Sequence, residues 1–183
     1  MKKIIIVLVL AAVLTTGTAF ADHPDGWGVG VLAGFGITVG DSHWNLAGGY
    51  DLALSLKAPV LPIYWGISAA LSDSYFGLGV TGDVYLIDMN IIDTVLGWYL
   101  GVGGFVGLSF WDYAWMGDGF GLSFGARVPV GLSVQIPVSS VGFEFFASFV
   151  PRLGLGMIFW DHWDNNVDFM FNVGGEVGIR FWF

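Results

Sequence analysis

Read backwards from Phe183, the chain places Phe181, Ile179, Val177, Gly175, Val173, Phe171, Phe169 and Val167 on every second position. Between them stand Trp182, Arg180, Gly178, Glu176, Gly174 and Asn172. Successive side chains of a β-strand point to opposite faces, so this stretch reads as a strand with one apolar, aromatic face and one face of glycine, amide and charge. Such a strand must either bury its apolar face against protein or show it to something other than water. Which of the two applies depends on what the rest of the chain can put outside.

The supply of polar surface is small. Charged residues make up 11% of the chain, against about 25% in ordinary soluble domains, so a water-facing exterior cannot be assembled. Lys2 and Lys3 precede an apolar run from Ile4 to Leu14, followed by Ala19-Phe20-Ala21. That order is expected of a signal peptide over 1–21, leaving a mature domain over 22–183. Beyond it no stretch of about 18 apolar residues occurs, so no membrane helix is expected. Loss of the two lysines takes the formal net charge from −9 to −11, which argues against nucleic acid as a partner. Cysteine is absent, so disulfides and thiolate metal sites are excluded. No phosphate-binding loop, dinucleotide fingerprint or zinc-helix motif occurs, and neither a cofactor nor a resident metal is expected. An exported, apolar chain without membrane helices is expected to be an all-β, eight-stranded antiparallel up-and-down transmembrane β-barrel in the cell outer membrane.

Seven further segments alternate in the same way: Trp27 to Ile37, Leu46 to Lys57, Ile63 to Leu71, Tyr75 to Leu86, Leu96 to Ser109, Phe120 to Gln135 and Val141 to Gly154. An even number of strands puts both termini on one side. Connections at 58–62, 88–94 and 137–140 are then expected as periplasmic turns, and 38–45, 72–74, 110–119 and 156–166 as external loops. Pro129 and Pro151 fall inside strands, where a missing N–H predicts local bulges. A closed sheet has no free edge, so a monomer is expected.

Parity also sorts the charges. Lys57, Arg127, Arg152 and Arg180 all fall on the inward face, together with Asp51, Asp83, Glu144 and Glu176. Eight strands enclose a lumen just wide enough for side chains, so these charges are expected to pair across it, Arg127 with Glu144 for example. A closed, plugged lumen follows from that; the alternative is a narrow pore or transporter for ions or small hydrophobic solutes, for which the many inward glycines leave room.

Parts of the C-terminal third carry a likeness. Arg127-Val128-Pro129-Val130-Gly131-Leu132-Ser133, Phe143-Glu144-Phe145-Phe146, Pro151-Arg152-Leu153-Gly154-Leu155 and the glycine-rich ending Gly174 to Phe183 resemble the small outer-membrane β-barrel family of spirochaetes, and more broadly the OmpA/OmpX-like and OmpW-like eight-stranded barrels. The ending with Val177, Ile179, Phe181 and Phe183 resembles the signal by which the barrel assembly machinery recognises its clients. The resemblance implies residence in the outer-membrane bilayer, with either a surface role that includes binding of host factors or passage of small apolar compounds.

The expected external loops carry Trp44, Trp111, Trp115, Trp160 and Trp163 beside several aspartates. Such rings can anchor a protein or glycan partner, or form the aromatic girdle of a membrane barrel. Asp161, Asp164 and Asn165 lack the regular spacing of a calcium loop. Ser42-His43 and Ser72-Asp73-Ser74 supply the residue types of a lipid-modifying barrel enzyme at no fixed geometry, and an enzyme is not expected. The function expected is a surface-exposed structural or binding one.

Overall fold

The computed structural model describes residues 23–24, 26–39, 51–73, 75–93, 95–113, 117–138, 141–160 and 166–183; the expected signal peptide lies outside them. Nine strand segments appear among the described residues: β1 Gly28–Val39, β2 Asp51–Lys57, β3 Tyr64–Ser72, β4 Tyr75–Ile92, β5 Leu96–Tyr113, β6 Gly117–Arg127, β7 Val130–Val138, β8 Val141–Trp160 and β9 Asn166–Trp182. Each is antiparallel to its neighbours, and β1 pairs with β9 over Gly28↔Trp182 to Val39↔Phe171, which closes the sheet.

The barrel has eight staves because β6 and β7 are one. Both lie between β5 and β8, and the register runs through the gap unchanged, from Gly103↔Arg127 to Leu100↔Val130 on one side and from Arg127↔Arg152 to Val130↔Phe149 on the other. The bulges expected at Pro129 and Pro151 are therefore absent. Each proline keeps half of a paired site: the Gly101 N–H donates to the Pro129 carbonyl at 2.8 Å, and the Val128 N–H to the Pro151 carbonyl at 3.1 Å. Only the return bond, which needs a proline N–H, is lost, and a ladder can forgo one bond without shifting register.

The bulges lie elsewhere. Pairing of β4 with β5 slips between Tyr85 and Ile87 and again between Asn90 and Ile92. Residues 88–92, expected in a turn, therefore belong to β4, which ends at Ile92, and Asp93 follows in the left-handed region at φ 35°. At the opposite end β5 and β6 continue over Trp111↔Gly119, Asp112↔Asp118 and Tyr113↔Gly117, and β8 runs to Trp160, so the expected loops at 110–119 and 156–166 are shorter too. Charged and aromatic residues do not stop a ladder, because pairing still satisfies the backbone. β2 begins at Asp51; 46–50 lie outside the described residues.

The inside is polar and the outside apolar. Ser55, Lys57, Asp83, Ser109, Ser123, Arg127, Ser133, Glu144, Asn172, Glu176 and Arg180 are buried, while Val31, Leu54, Val80, Val106, Leu132, Phe149 and Val177 are exposed. On the exterior, Phe76, Phe110, Phe120 and Phe159 are direct cross-strand partners on four adjacent staves, with ring centroids 5.2 to 6.0 Å apart. Toward the termini Trp27, Phe181 and Phe183 are exposed as well.

Candidate functional site

The lumen is filled by two ionic clusters at different heights. The cluster nearer the termini is centred on Glu144 of β8, which has no solvent exposure. Its Oε2 accepts from Arg180 Nη1 at 2.7 Å and from Trp182 Nε1 at 2.7 Å, and its Oε1 faces His23 Nε2 at 2.9 Å. Arg180 reaches Ser55 Oγ through Nε at 3.2 Å and Nη2 at 3.1 Å. Its guanidinium carbon lies 4.9 Å from the Tyr64 ring centroid and 4.6 Å from that of Phe146, distances at which a ring face attracts a cation. Cross-strand register makes the central pair, since Glu144 is directly opposite Arg180.

His23 precedes β1 and enters this cluster from the terminus end. Its Nδ1 is 2.5 Å from Asp88 Oδ2, and its backbone N–H donates to the same oxygen at 3.2 Å. Both ring nitrogens thus face carboxyl oxygens, and the doubly protonated imidazolium is the form that donates to two ionised carboxylates at once. Burial opposes that charge, but the hydrogen bonds and charges of Asp88 and Glu144 overcome it and push His23 up to about 9. With His23 protonated, two cations, His23 and Arg180, face two anions, Asp88 and Glu144.

The second cluster has the same stoichiometry. Glu176 bridges two arginines, accepting from Arg127 Nη2 at 2.6 Å and from Arg152 Nη2 at 2.7 Å. Arg127 Nε approaches Asp83 Oδ1 to 3.0 Å; the N–H is not aligned on that oxygen, so the contact is an ion pair without a hydrogen bond. Toward the loop end a cavity of about 110 Å³ is lined by Ser68, Thr81, Ser123, Arg152 and Asn172. Between the clusters lies a smaller void of about 20 Å³, beside Tyr64, Tyr85, Tyr99 and Phe146. Tyr64 stacks on Tyr85 at 3.9 Å and Tyr85 on Tyr99 at 4.3 Å, forming a three-ring wall over β3, β4 and β5.

The pairing differs from the expected one. Arg127 meets Asp83 and Glu176, not Glu144, because Arg127 is in register with Arg152, eight positions along β8 from Glu144. Lys57 points inward, donates to the Ala58 carbonyl at 2.8 Å and lies 5.7 Å from the Tyr64 ring centroid. The side chain of Asp51 lies outside the described residues. Two members were missed by sequence reasoning. Asp88 was placed in a turn, whereas the bulge at Leu86 reverses the parity and turns it inward; the adjacent apolar pair Leu86-Ile87, followed by Met89 and Ile91 alternating with Asp88 and Asn90, was the available sign. His23 has no strand parity to read.

Of the tryptophans expected in external loops, Trp44, Trp115 and Trp163 lie outside the described residues, and Trp160 closes β8, its backbone paired with Gly119. Trp111 is corrected: it sits in β5 on the inward parity of Ser109, is partly buried, and packs on Ile158 and Met170 with its ring 6.0 Å from Tyr75. It covers the lumen, while phenylalanines form the exterior aromatic row at that end. Val177, Phe181 and Phe183 are exposed on the outside and Ile179 is half-buried. Ser42, His43, Asp161, Asp164 and Asn165 also lie outside the described residues.

The His23 contacts carry a pH prediction. A group whose pKa rises on folding contributes stability fully below its unfolded value, near 6.5, and that contribution fades as pH rises through about 9. The unfolding midpoint of the refolded protein is therefore expected to fall between pH 7 and 9.5, and the fall to be absent in His23→Gln. Parallel profiles for the two proteins would contradict the assignment.

No protein family matches the chain, and no curated protein matches it. Among solved structures the fold is similar to that of Neisserial surface protein A (NspA), at 13% identity and a TM-score of 0.46, over 87% of this chain and 98% of that one.

Proposed function

We propose that this closed barrel is an integral outer-membrane protein whose lumen is sealed, and whose role is a structural or binding one at the cell surface, without catalysis. The observation that carries the reading is the inverted distribution of polarity: charge and hydroxyls are buried, and the exposed wall is aliphatic and aromatic. In water such a wall would drive aggregation, since soluble monomers seldom expose contiguous apolar patches beyond a few hundred Å². In a bilayer it is the solvent-matched surface.

The height of the wall supports the same reading. On β5 the outward residues Trp98 and Phe110 are twelve positions apart, which at about 3.3 Å per residue and a tilt of about 40° spans roughly 30 Å, the thickness of a hydrocarbon core. Val106, exposed between them, gives the test. Val106→Arg is expected to lose about 2 to 4 kcal/mol of folding free energy in a lipid bilayer, measured by denaturant titration in vesicles. An unaffected bilayer titration would remove the membrane assignment.

The rim at the loop end carries exposed Asp73, Asp112 and Asp118, with Asp112 and Asp118 directly opposite each other. Like charges placed face to face do not help a ladder. A binding role at this rim favours a partner with a basic surface. The pore alternative has one feature in its favour, the cavity above Arg152, but the paired clusters and the tyrosine wall stand beneath it.

A further inference from the structure

His23 differs from the other charged groups of the lumen in belonging to no strand. The chamber that holds it is built by the staves alone. Asp88 of β4 and Glu144 of β8 face its two ring nitrogens. The rings of Tyr64 on β3, Tyr85 on β4, Tyr99 on β5 and Trp182 on β9 surround it at centroid distances of 5.6 to 6.1 Å, the three tyrosines steeply inclined to it at 65° to 78°. Arg180 occupies the far oxygen of Glu144 without blocking the oxygen turned to His23. The strand ladders that place these seven residues do not pass through His23.

We propose that the terminus end of the lumen is a binding site for a small planar organic cation of the imidazolium class, which the chain itself fills in cis with His23. Two acceptors on opposite sides of a five-membered ring demand two N–H donors on opposite edges, and the aromatic walls favour a flat, delocalised cation. A tetrahedral ammonium matches neither the slot nor the direction of the acceptors. An imidazolium methylated on one nitrogen can satisfy only one carboxylate and leaves the other buried without a donor. The direct contacts point the same way: without a cation here, Asp88 Oδ2 and Glu144 Oε1 would each lose the ring donor that faces it. The pKa of His23, held up to about 9 by the two carboxylates against burial, agrees with this reading; Asp88, Glu144, Tyr64, Tyr85 and Tyr99 are titratable groups that face it.

The test is chemical rescue. The protein and its His23→Ala variant are refolded in detergent micelles, where the outcome does not depend on which membrane the barrel occupies, and thermal unfolding is followed by circular dichroism. Imidazole is expected to raise the midpoint of His23→Ala in a saturable way, with half-saturation on the order of 1 mM, the scale of a five-atom ligand. It is expected to do so more strongly at pH 6.5 than at pH 9.5, to exceed 1-methylimidazole at equal concentration, and to leave the wild-type midpoint in place. No response of the variant, equal rescue by 1-methylimidazole, or equal stabilisation of the wild type would each overturn the site. Should His23→Ala fail to fold in every buffer, nitrogen NMR of the wild type decides: the His23 ring is expected to keep both protons at pH 8 and to lose one there in Asp88→Asn, and a wild-type ring that titrates like a free histidine would overturn the proposal.

Discussion

Glu144→Ala is expected to destabilise the barrel by about 3 to 5 kcal/mol, the cost of removing one partner from a buried ion pair and leaving the other charged. Glu144 has no solvent exposure and accepts from three donors on two sides, Arg180 and Trp182 at one oxygen and His23 at the other. Its loss would strand the Arg180 guanidinium, itself 2% exposed, with only Ser55 Oγ and ring faces around it. Asp88 would remain as the one anion for two cations. Urea titration of the protein folded into vesicles measures the effect, and Glu144→Gln separates its parts. The amide keeps the volume and one acceptor but not the charge, so it should recover the packing share and leave most of the loss. A change below about 1 kcal/mol in either variant would mean that water reaches the cluster and screens it.

Arg127→Ala is the second large effect, and it bears on transport as well as stability. Arg127 is 2% exposed and holds Asp83 and Glu176 together; removing it leaves two buried carboxylates for Arg152 alone, again about 3 to 5 kcal/mol. The substitution also enlarges the space between the loop-end cavity and the small void beneath it. Even so, the bilayer is expected to stay silent in single-channel recordings for both wild type and variant. The tyrosine wall, Phe146, Arg180 and His23 still fill the lumen below the vacated volume. Discrete openings in the wild type would refute a sealed lumen. Openings in the variant alone would place the whole seal at the upper cluster.

Both predictions concern residues whose direction, though not whose partners, could be read from the chain. The period-two alternation of Val167 to Phe183 marked Glu176 and Arg180 as facing one way and Val177 and Phe181 the other, and the same parity turned Arg127, Arg152, Asp83 and Glu144 inward. That is local information, because each side chain of a pleated strand points opposite to its neighbour whatever the strand later pairs with. The scarcity of charge likewise fixed that the apolar face lies outside, since too few polar residues exist to cover it. The single stave through Pro129 was visible too, as alternation unbroken across the proline, although the bulge expected there was wrong.

What the tertiary structure decided is which inward residues meet. Glu144 lies opposite Arg180 because β8 pairs with β9 in one register, and Arg127 finds Glu176 and Asp83 because strand tilt carries it away from Glu144. Register and tilt are properties of the closed sheet, set by all eight staves together, and no window of sequence contains them. The inward turn of Asp88 depends on a bulge in the β4–β5 ladder, and the position of His23 depends on a segment with no periodicity at all entering a chamber built from five strands, β3, β4, β5, β8 and β9. Alternation along each strand set the inside and outside of the wall; closure of the barrel decided that Arg180, Glu144 and Asp88 meet at one height and Arg127, Arg152, Asp83 and Glu176 at another, the first group completed by a histidine from beyond the strands.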